Sequence, residues 1–338
     1  MLHINMFFNH IKEQLSLFYL SCYRFSYIAD EEVHFSSYKG IVFRGGLGHN
    51  LKEKACLMPE VQCENCNLNS KCVYSRLFES PVPKESKYFC GQPFIPHPFI
   101  IEPPLENKDI YYPGEVVEFK LILIGSSVEY LPYFIFAFME LGNKGLGKIV
   151  NGRRGKCTLD KVESLGNADG EAYSTIYLRK KTSYSEPSVL LYLDSLMNGL
   201  TCLDAGNKYI KINFLTPTSI KFKGEITKDI DFPLLLRNTM RRISTLSYYY
   251  CGYELQLHYK DILEQASEVS IIKNNLKWVQ WERHSGRQRK KFGMEGFLGE
   301  ITFFGEMDNY LPLLLFGQYL HLGKGTSFGY GKYLISQT

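Results

Sequence analysis

The sequence has no apolar run of membrane-spanning length. Its best candidate, "YLPYFIFAFMELG", is interrupted by Pro132, Glu140 and Gly142. The opening "MLHINMFFNHIKEQLSLFYL" reads as a poor signal peptide, since it carries no early cations and is broken by Asn9, His10, Lys12 and Glu13. No membrane partner is therefore expected, and the expected location is cytoplasmic. No charge of one sign dominates, since the formal net charge is +4 over 338 residues. Acidic residues are scattered rather than clustered, and neither H-E-x-x-H nor G-x-S-x-G occurs. These absences remove the usual marks of magnesium nucleases, zinc hydrolases and serine hydrolases. Any catalysis is expected to be histidine-based, with no cofactor for the chemistry.

The nucleotide-binding fingerprints are lacking as well. In the closing "HLGKGTSFGYGKYLI", Lys324 is followed by Gly325, and Gln318 stands where a P-loop needs its first glycine. A dinucleotide motif fails because Phe328 lies three residues after Gly325. The predicted order is helix, glycines, strand, which is the reverse of both nucleotide folds.

What is present describes a globular protein long enough for two domains, with 45% hydrophobic and 22% charged residues. Cations gather as Arg153, Arg154 and Lys156, as Arg237, Arg241 and Arg242, and as Arg283, Arg287, Arg289, Lys290 and Lys291. Any one such run is ordinarily solvated surface. Three of them beside glycine turns, aromatics or a helix face point to a polyanion.

An internal repeat gives the architecture. Residues 125–145, "GSSVEYLPYFIFAFMELGNKG", align without a gap with residues 305–325, "GEMDNYLPLLLFGQYLHLGKG". They share Gly125/Gly305, Tyr130/Tyr310, Leu131/Leu311, Pro132/Pro312, Phe136/Phe316, Lys144/Lys324 and Gly145/Gly325. In each copy a strand pattern precedes an apolar helix opened by proline, and glycines and a second strand follow. Earlier in each half come another strand and another helix. In the first half, "FRGGLGHNLKEKAC" reads as a glycine turn opening a helix near Leu47. In the second, Leu236, Met240, Ile243 and Leu246 mark the buried face of a helix over about Pro233 to Tyr249. The predicted class is α+β, with tandem ferredoxin-like (RRM-like) βαββαβ domains over 1–185 and 205–338. The first would carry a Cys-rich insert at about 56–90, and the second a glycine-rich loop at 323–331.

Nine cysteines, an odd number, suggest metal or free thiols before disulfides. Cys56, Cys63, Cys66 and Cys72 have the spacing C-x6-C-x2-C-x5-C. The Cys63–Cys66 knuckle suits one tetrahedral ion, and a structural zinc would order a segment too polar for its own core. Four inert free thiols are the competing reading and an iron–sulfur cluster the minor one; Cys90 could replace a ligand. Among the histidines, His3, His10, His97 and His258 stand in unpromising surroundings, and His284 and His321 rank second. His49 falls at the expected start of a helix beside Lys52 and Lys54, where an anion and a ribose hydroxyl could meet it. A capping or surface histidine is the plainer alternative.

With these residues assembled, the chain resembles the CRISPR-associated repeat-processing endoribonucleases of the RAMP superfamily, in its cysteine-containing branch. The resemblance rests on "YKGIVFRGGLGHNLKEKAC", "CVYSRLFES", "FLTPTSIKFKG", "RHSGRQ" and the glycine-rich "HLGKGTSFGYGKY". It implies sequence-specific, metal-independent cleavage of precursor CRISPR RNA within repeats. The ribose 2′-hydroxyl attacks the adjoining phosphate and leaves 2′,3′-cyclic phosphate and 5′-hydroxyl ends. His49 matches the family's general base, and Lys52, or else Lys54, would stabilise the phosphorane. RNA contacts are expected from Arg44, Arg153, Arg154, Arg237, Arg241, Arg242, Arg283, Arg287, Gly323, Lys324, Gly325, Gly329 and Gly331. Trp278, Trp281 and Phe328 are candidates for base stacking. The implied partners are repeat RNA and CRISPR effector subunits, for a chain acting as monomer or homodimer. The rival implication of the same fold is a non-catalytic subunit that binds guide RNA.

Overall fold

The computed structural model describes residues 2–35, 38–83, 85–86, 94–166, 172–180, 188–198, 208–285 and 290–337, with backbone alone at 2–8, 198, 282–285, 290–293 and 337. The chain divides into two compact units, Leu20–Leu190 and Met1–Tyr19 with Leu191–Thr338. The N-terminal helix α1 (Leu2–Leu15), which the sequence patterns did not single out, thus belongs with the C-terminal residues. It buries Ile11 and Leu15, and just beyond it Phe18 meets Phe316 edge-on.

The Leu20–Leu190 unit is built from β1 (Tyr19–Ala29), α2 (Lys39–Ala55), α3 (Val73–Phe78), β2 (Phe99–Glu102), β3 (Val116–Ile124) and α4 (Leu131–Lys144). A hairpin of β4 (Leu146–Val150) and β5 (Arg153–Gly155) follows, then β6 (Cys157–Leu165) and β7 (Ala172–Leu178). The sheet runs β2-β3-β1-β6-β7 and every pairing is antiparallel. Without the added edge strand β7, this is the ferredoxin-like order, with two helical crossovers on one face. Phe25, Phe119 and Phe138 stack at the centre of that core, joined by Phe43 from α2.

The second unit repeats the plan with β8 (Tyr209–Thr218), a short hairpin β9 (Lys221–Phe222) and β10 (Glu225–Ile226), and α5 (Phe232–Leu246). After α6 (Tyr259–Ala266) come β11 (Ser270–Ser285), β12 (Lys290–Phe304), α7 (Leu311–Leu320) and β13 (Tyr333–Gln337). Its antiparallel sheet runs β11-β12-β8-β13. Leu236, Met240, Ile243 and Leu246 are all buried on α5, as their spacing predicts. The Asp231 side chain opens that helix by accepting from the Leu234 amide at 2.7 Å.

The sequence repeat corresponds to β3–α4 and β12–α7. Both helices begin at a leucine after a short 3-10 turn that ends at tyrosine, with Pro132 and Pro312 in the first turn. The copies then diverge. α4 continues to Lys144 and stops at Gly145, whose φ is +95°. α7 stops at Leu320, and His321, at φ +56°, starts the glycine loop one turn earlier.

One expectation is corrected here. The "RGGLG" stretch is no turn, because α2 begins at Lys39 and runs straight through it. Phe43, Leu47 and Leu51 anchor the helix in the core, which outweighs the poor helix propensity of glycine. Gly142 on α4 shows how tightly this layer packs, since a Cβ there would lie 2.3 Å from the Cys157 carbonyl oxygen and 2.9 Å from the Tyr27 ring. Gly142→Ala is expected to cost the unit about 1–3 kcal/mol by overpacking. Gly45→Ala, with nothing within 4 Å, should gain about 1 kcal/mol from helix propensity. Urea unfolding of the two variants checks the opposite signs. No helix among the described residues is long and apolar enough to cross a membrane.

Candidate functional site

His49 projects from the middle of α2 with its side chain 74% exposed, so the helix-terminus setting expected for it does not hold. Its Nε2 lies 3.5 Å from Glu53 Oε2, one turn on. Glu53 is in turn bound by Lys144 Nζ at 2.6 Å, and the same ammonium donates to Asn50 Oδ1 at 3.1 Å. Hydrogen bonding from Lys144 holds the Glu53 carboxyl below its usual range. Lys54 lies 3.7 Å from Glu140. The Lys52 ammonium rests 5.7 Å from the centre of the Tyr74 ring. Three residues apart, His49 and Lys52 share one side of the helix. The result is an exposed imidazole beside one carboxylate, which Lys144 also binds. Glu53 was not anticipated from sequence, whereas Lys144 is the repeat partner of Lys324.

The cysteines behave differently from expectation. All four are free thiols, and among the described residues no group of three or more His, Cys, Asp or Glu side chains could hold a metal ion. The Cys63–Cys66 turn does form, with the Cys66 amide bonded to the Cys63 carbonyl at 3.3 Å. Cys63 is buried against Glu79, and burial pushes its thiol up to about 12, which favours the protonated form. Glu79 also accepts from the Tyr74 hydroxyl at 3.2 Å. In the arrangement described, Cys63 is turned onto Glu79, away from a shared centre with the other three thiols. Cys90 lies outside the described residues.

The predicted RNA-binding cations divide into three groups. Arg44 is packed within its unit, its guanidinium 4.7 Å from the Phe78 ring centre and 3.0 Å from His97 Nε2, to which it donates. Arg153 and Arg154 lie on the exposed β4–β5 hairpin, whose tip, Asn151-Gly152, takes the two positive φ values a tight primed turn requires. Arg153 is 76% exposed and 3.5 Å from Glu31, and Arg154 Nε donates to the Gly147 carbonyl. Arg237 and Arg241 are exposed on α5. Arg242 departs from them, since its Nε donates to the Leu320 carbonyl at the end of α7 and burial lowers its pKa to about 10. Through that bond it closes a helix terminus. Arg287 lies outside the described residues, as does the side chain of Arg283.

The glycine loop holds all four of Gly323, Gly325, Gly329 and Gly331 at positive φ. Several amides in and beside it are already committed. The Lys324 amide donates to Ser219, Gly331 to Pro217, Leu322 to Gly331, Phe328 to Gly325 and Gly329 to Thr326. A Cβ on Gly331 would lie 1.8 Å from the Leu322 carbonyl oxygen, and one on Gly323 2.2 Å from that of Ser219. These bonds turn part of the loop's backbone onto the protein's own carbonyls. The loop is fastened to the end of β8, and Lys324 is its exposed charge. Trp281 serves the same closure, donating through Nε1 to the buried Tyr330 hydroxyl at 2.9 Å. His321 is fully buried at the loop's base.

Two ferredoxin-like units in tandem, the second closed by a glycine-rich loop, define the RAMP class of fold. Residues 212–333 match the family model of the CRISPR-associated endoribonuclease Cas6, and residues 17–189, just over half of the chain, match the N-terminal domain AF_1859_N. The chain belongs to the Cas6 family of CRISPR repeat-processing, RAMP-type proteins. No curated protein matches it. Among solved structures, a partial Cas6-RT-Cas1–Cas2 complex is similar at TM-score 0.58 and 14% identity, covering 96% of this chain and 47% of that one. This chain thus spans about half the length of that relative. A Cas6 product complex is similar at TM-score 0.54 and 15% identity, and Thermus thermophilus Cas6 at 0.52 and 13%; each covers 94% of this chain and 98% of the other. At such identities the likeness is one of fold.

Proposed function

We propose that the protein cleaves precursor CRISPR RNA within its repeats, by attack of the ribose 2′-hydroxyl on the adjoining phosphate. The observation that carries this reading is the accessible His49 with Glu53 beside it and Lys52 three residues away. The His49 imidazole takes the 2′-hydroxyl proton as the new O–P bond forms, the bond from phosphorus to the 5′-oxygen breaks, and that oxygen takes a proton from water to become the 5′-hydroxyl. One product ends in a 2′,3′-cyclic phosphate and the other begins with a 5′-hydroxyl. Glu53 orients the ring, and Lys52 meets the negative charge that develops on the phosphorane. The reaction is unimolecular within the RNA, so a held in-line geometry supplies much of the acceleration. No metal ion and no cofactor take part.

Relatives have been determined with RNA product and in assemblies containing Cas1 and Cas2. For this chain the corresponding partners are repeat RNA and other CRISPR proteins. The test is to label the downstream cleavage product with polynucleotide kinase without prior phosphatase treatment. Direct labelling is expected from a 5′-hydroxyl, and a product that needs dephosphorylation first would contradict the mechanism.

A further inference from the structure

The second unit has a cluster of charge and aromatic surface that the cleavage chemistry does not use. The β9–β10 hairpin leaves β8 at Ile220, turns through Lys223 and Gly224 at positive φ, and returns to bond Thr227 N to the Ile220 carbonyl at 3.0 Å. Its base is tied to the glycine loop through Ser219, which accepts the Lys324 amide at 2.9 Å. Ile220 is fully buried, whereas Phe222 is 40% exposed. The ring beside the hairpin turn thus keeps part of its face open to solvent.

Cations surround that ring. Lys223 Nζ lies 5.4 Å from its centre and the Arg237 guanidinium 5.8 Å. Lys228 lies 5.4 Å from the ring centre of Trp278, whose indole N–H has no hydrogen-bond partner among the described residues. Lys324 feels the like charge of Lys221, and burial together with that neighbour holds its ammonium below the usual value. Among the described residues none of Lys221, Lys223, Lys228, Arg237 and Lys324 forms an ion pair, although Lys208 and Lys211 of the same unit do. Glu295 partly offsets Lys324, and Glu225 pairs with Phe222 across the hairpin. The cations outnumber these acids, and cations gathered around a partly exposed ring suit a ligand with a flat π-face and flanking negative charges.

We propose that the β9–β10 hairpin is a platform for an unpaired RNA base, stacked on Phe222, with Lys221, Lys223, Arg237 and Lys324 holding the phosphates on either side. The proposal rests on the RNA-binding reading above and extends it to single-stranded RNA. The hairpin is fixed before the ligand arrives, so little ordering opposes binding.

The test uses the full chain, a fluorescein-labelled single-stranded oligouridylate and a blunt-ended RNA duplex of equal length. Phe222→Ala is expected to weaken oligouridylate binding about tenfold, as loss of one stacked base does, and to leave duplex binding unchanged. Phe222→Tyr should restore the affinity. Lys221→Gln should flatten the salt dependence of oligouridylate binding by roughly 0.7 in the log–log slope. Unchanged oligouridylate affinity in Phe222→Ala overturns the proposal, as does an equal loss on both RNAs. Wild-type protein that binds oligouridylate but leaves repeat RNA whole refutes the cleavage reading while the platform stands. Binding of neither RNA by the wild type removes both and would make a protein the hairpin's partner.

Discussion

Replacing His49 by alanine is expected to slow repeat cleavage by about 10²–10⁴-fold, the range general-base removal ordinarily produces. RNA affinity should stay nearly intact. The separation follows from the surroundings of the residue. Its side chain is 74% exposed and its polar contact is with Glu53 at 3.5 Å, so the fold loses little when the ring is removed. Surface substitutions of this kind usually change stability by no more than about 0.5 kcal/mol. Single-turnover cleavage and RNA binding, measured on the same preparation, distinguish a base from a binding residue. A parallel fall in affinity and rate would make His49 a contact to RNA, and an unchanged rate would remove it as the base.

Gly331→Ala is expected to produce the largest loss of stability in the second unit. The residue sits at φ +79°, where a side chain alone costs about 1–2 kcal/mol. The added Cβ would also fall 1.8 Å from the Leu322 carbonyl oxygen, and the Leu322 amide that donates to Gly331 would be displaced. A total on the order of 3–5 kcal/mol follows from strain together with a broken buried hydrogen bond. Gly252→Ala provides the control. Its φ is +78°, but nothing lies within 4 Å of a Cβ there, so only the conformational cost of about 1–2 kcal/mol applies. Denaturant unfolding compares the two. Equal stability of the variants would mean that the loop is not locked onto its own backbone as the hydrogen bonds indicate.

The parts of this fold that repeat were the parts legible in sequence. Tyr-Leu-Pro marks both helix starts because proline suits a first helical turn, and much of the apolar run that follows is buried, although Tyr133 and Phe136 of α4 stay exposed. The alternation along β8 likewise became alternating burial, with Ile210, Ile212 and Phe214 inside. The candidate site was only half legible. His49 stood out as a residue type, but the glycines before it looked like a turn, since local propensity carries no trace of the packing that keeps α2 helical. Glu53 was invisible for the same reason, because its pairing with His49 exists only once the helix runs through both. Arg242 read as part of a cationic face, and only the position of the α7 terminus shows why it turns inward. The cysteine spacing suggested a metal, yet the sequence could not show that Cys63 faces Glu79. Phe222 was hidden inside a strand-like run, and the short hairpin that exposes it depends on the positive φ values at Lys223 and Gly224.

The measurement that bears most directly on the account is cleavage of repeat RNA in excess EDTA, alongside a companion RNA carrying one 2′-deoxy sugar at the scissile position. The account predicts undiminished cleavage of the all-ribose RNA in EDTA and none of the deoxy RNA, which should still bind. Cleavage that stops when magnesium is chelated, or that persists at the deoxy position, would contradict it.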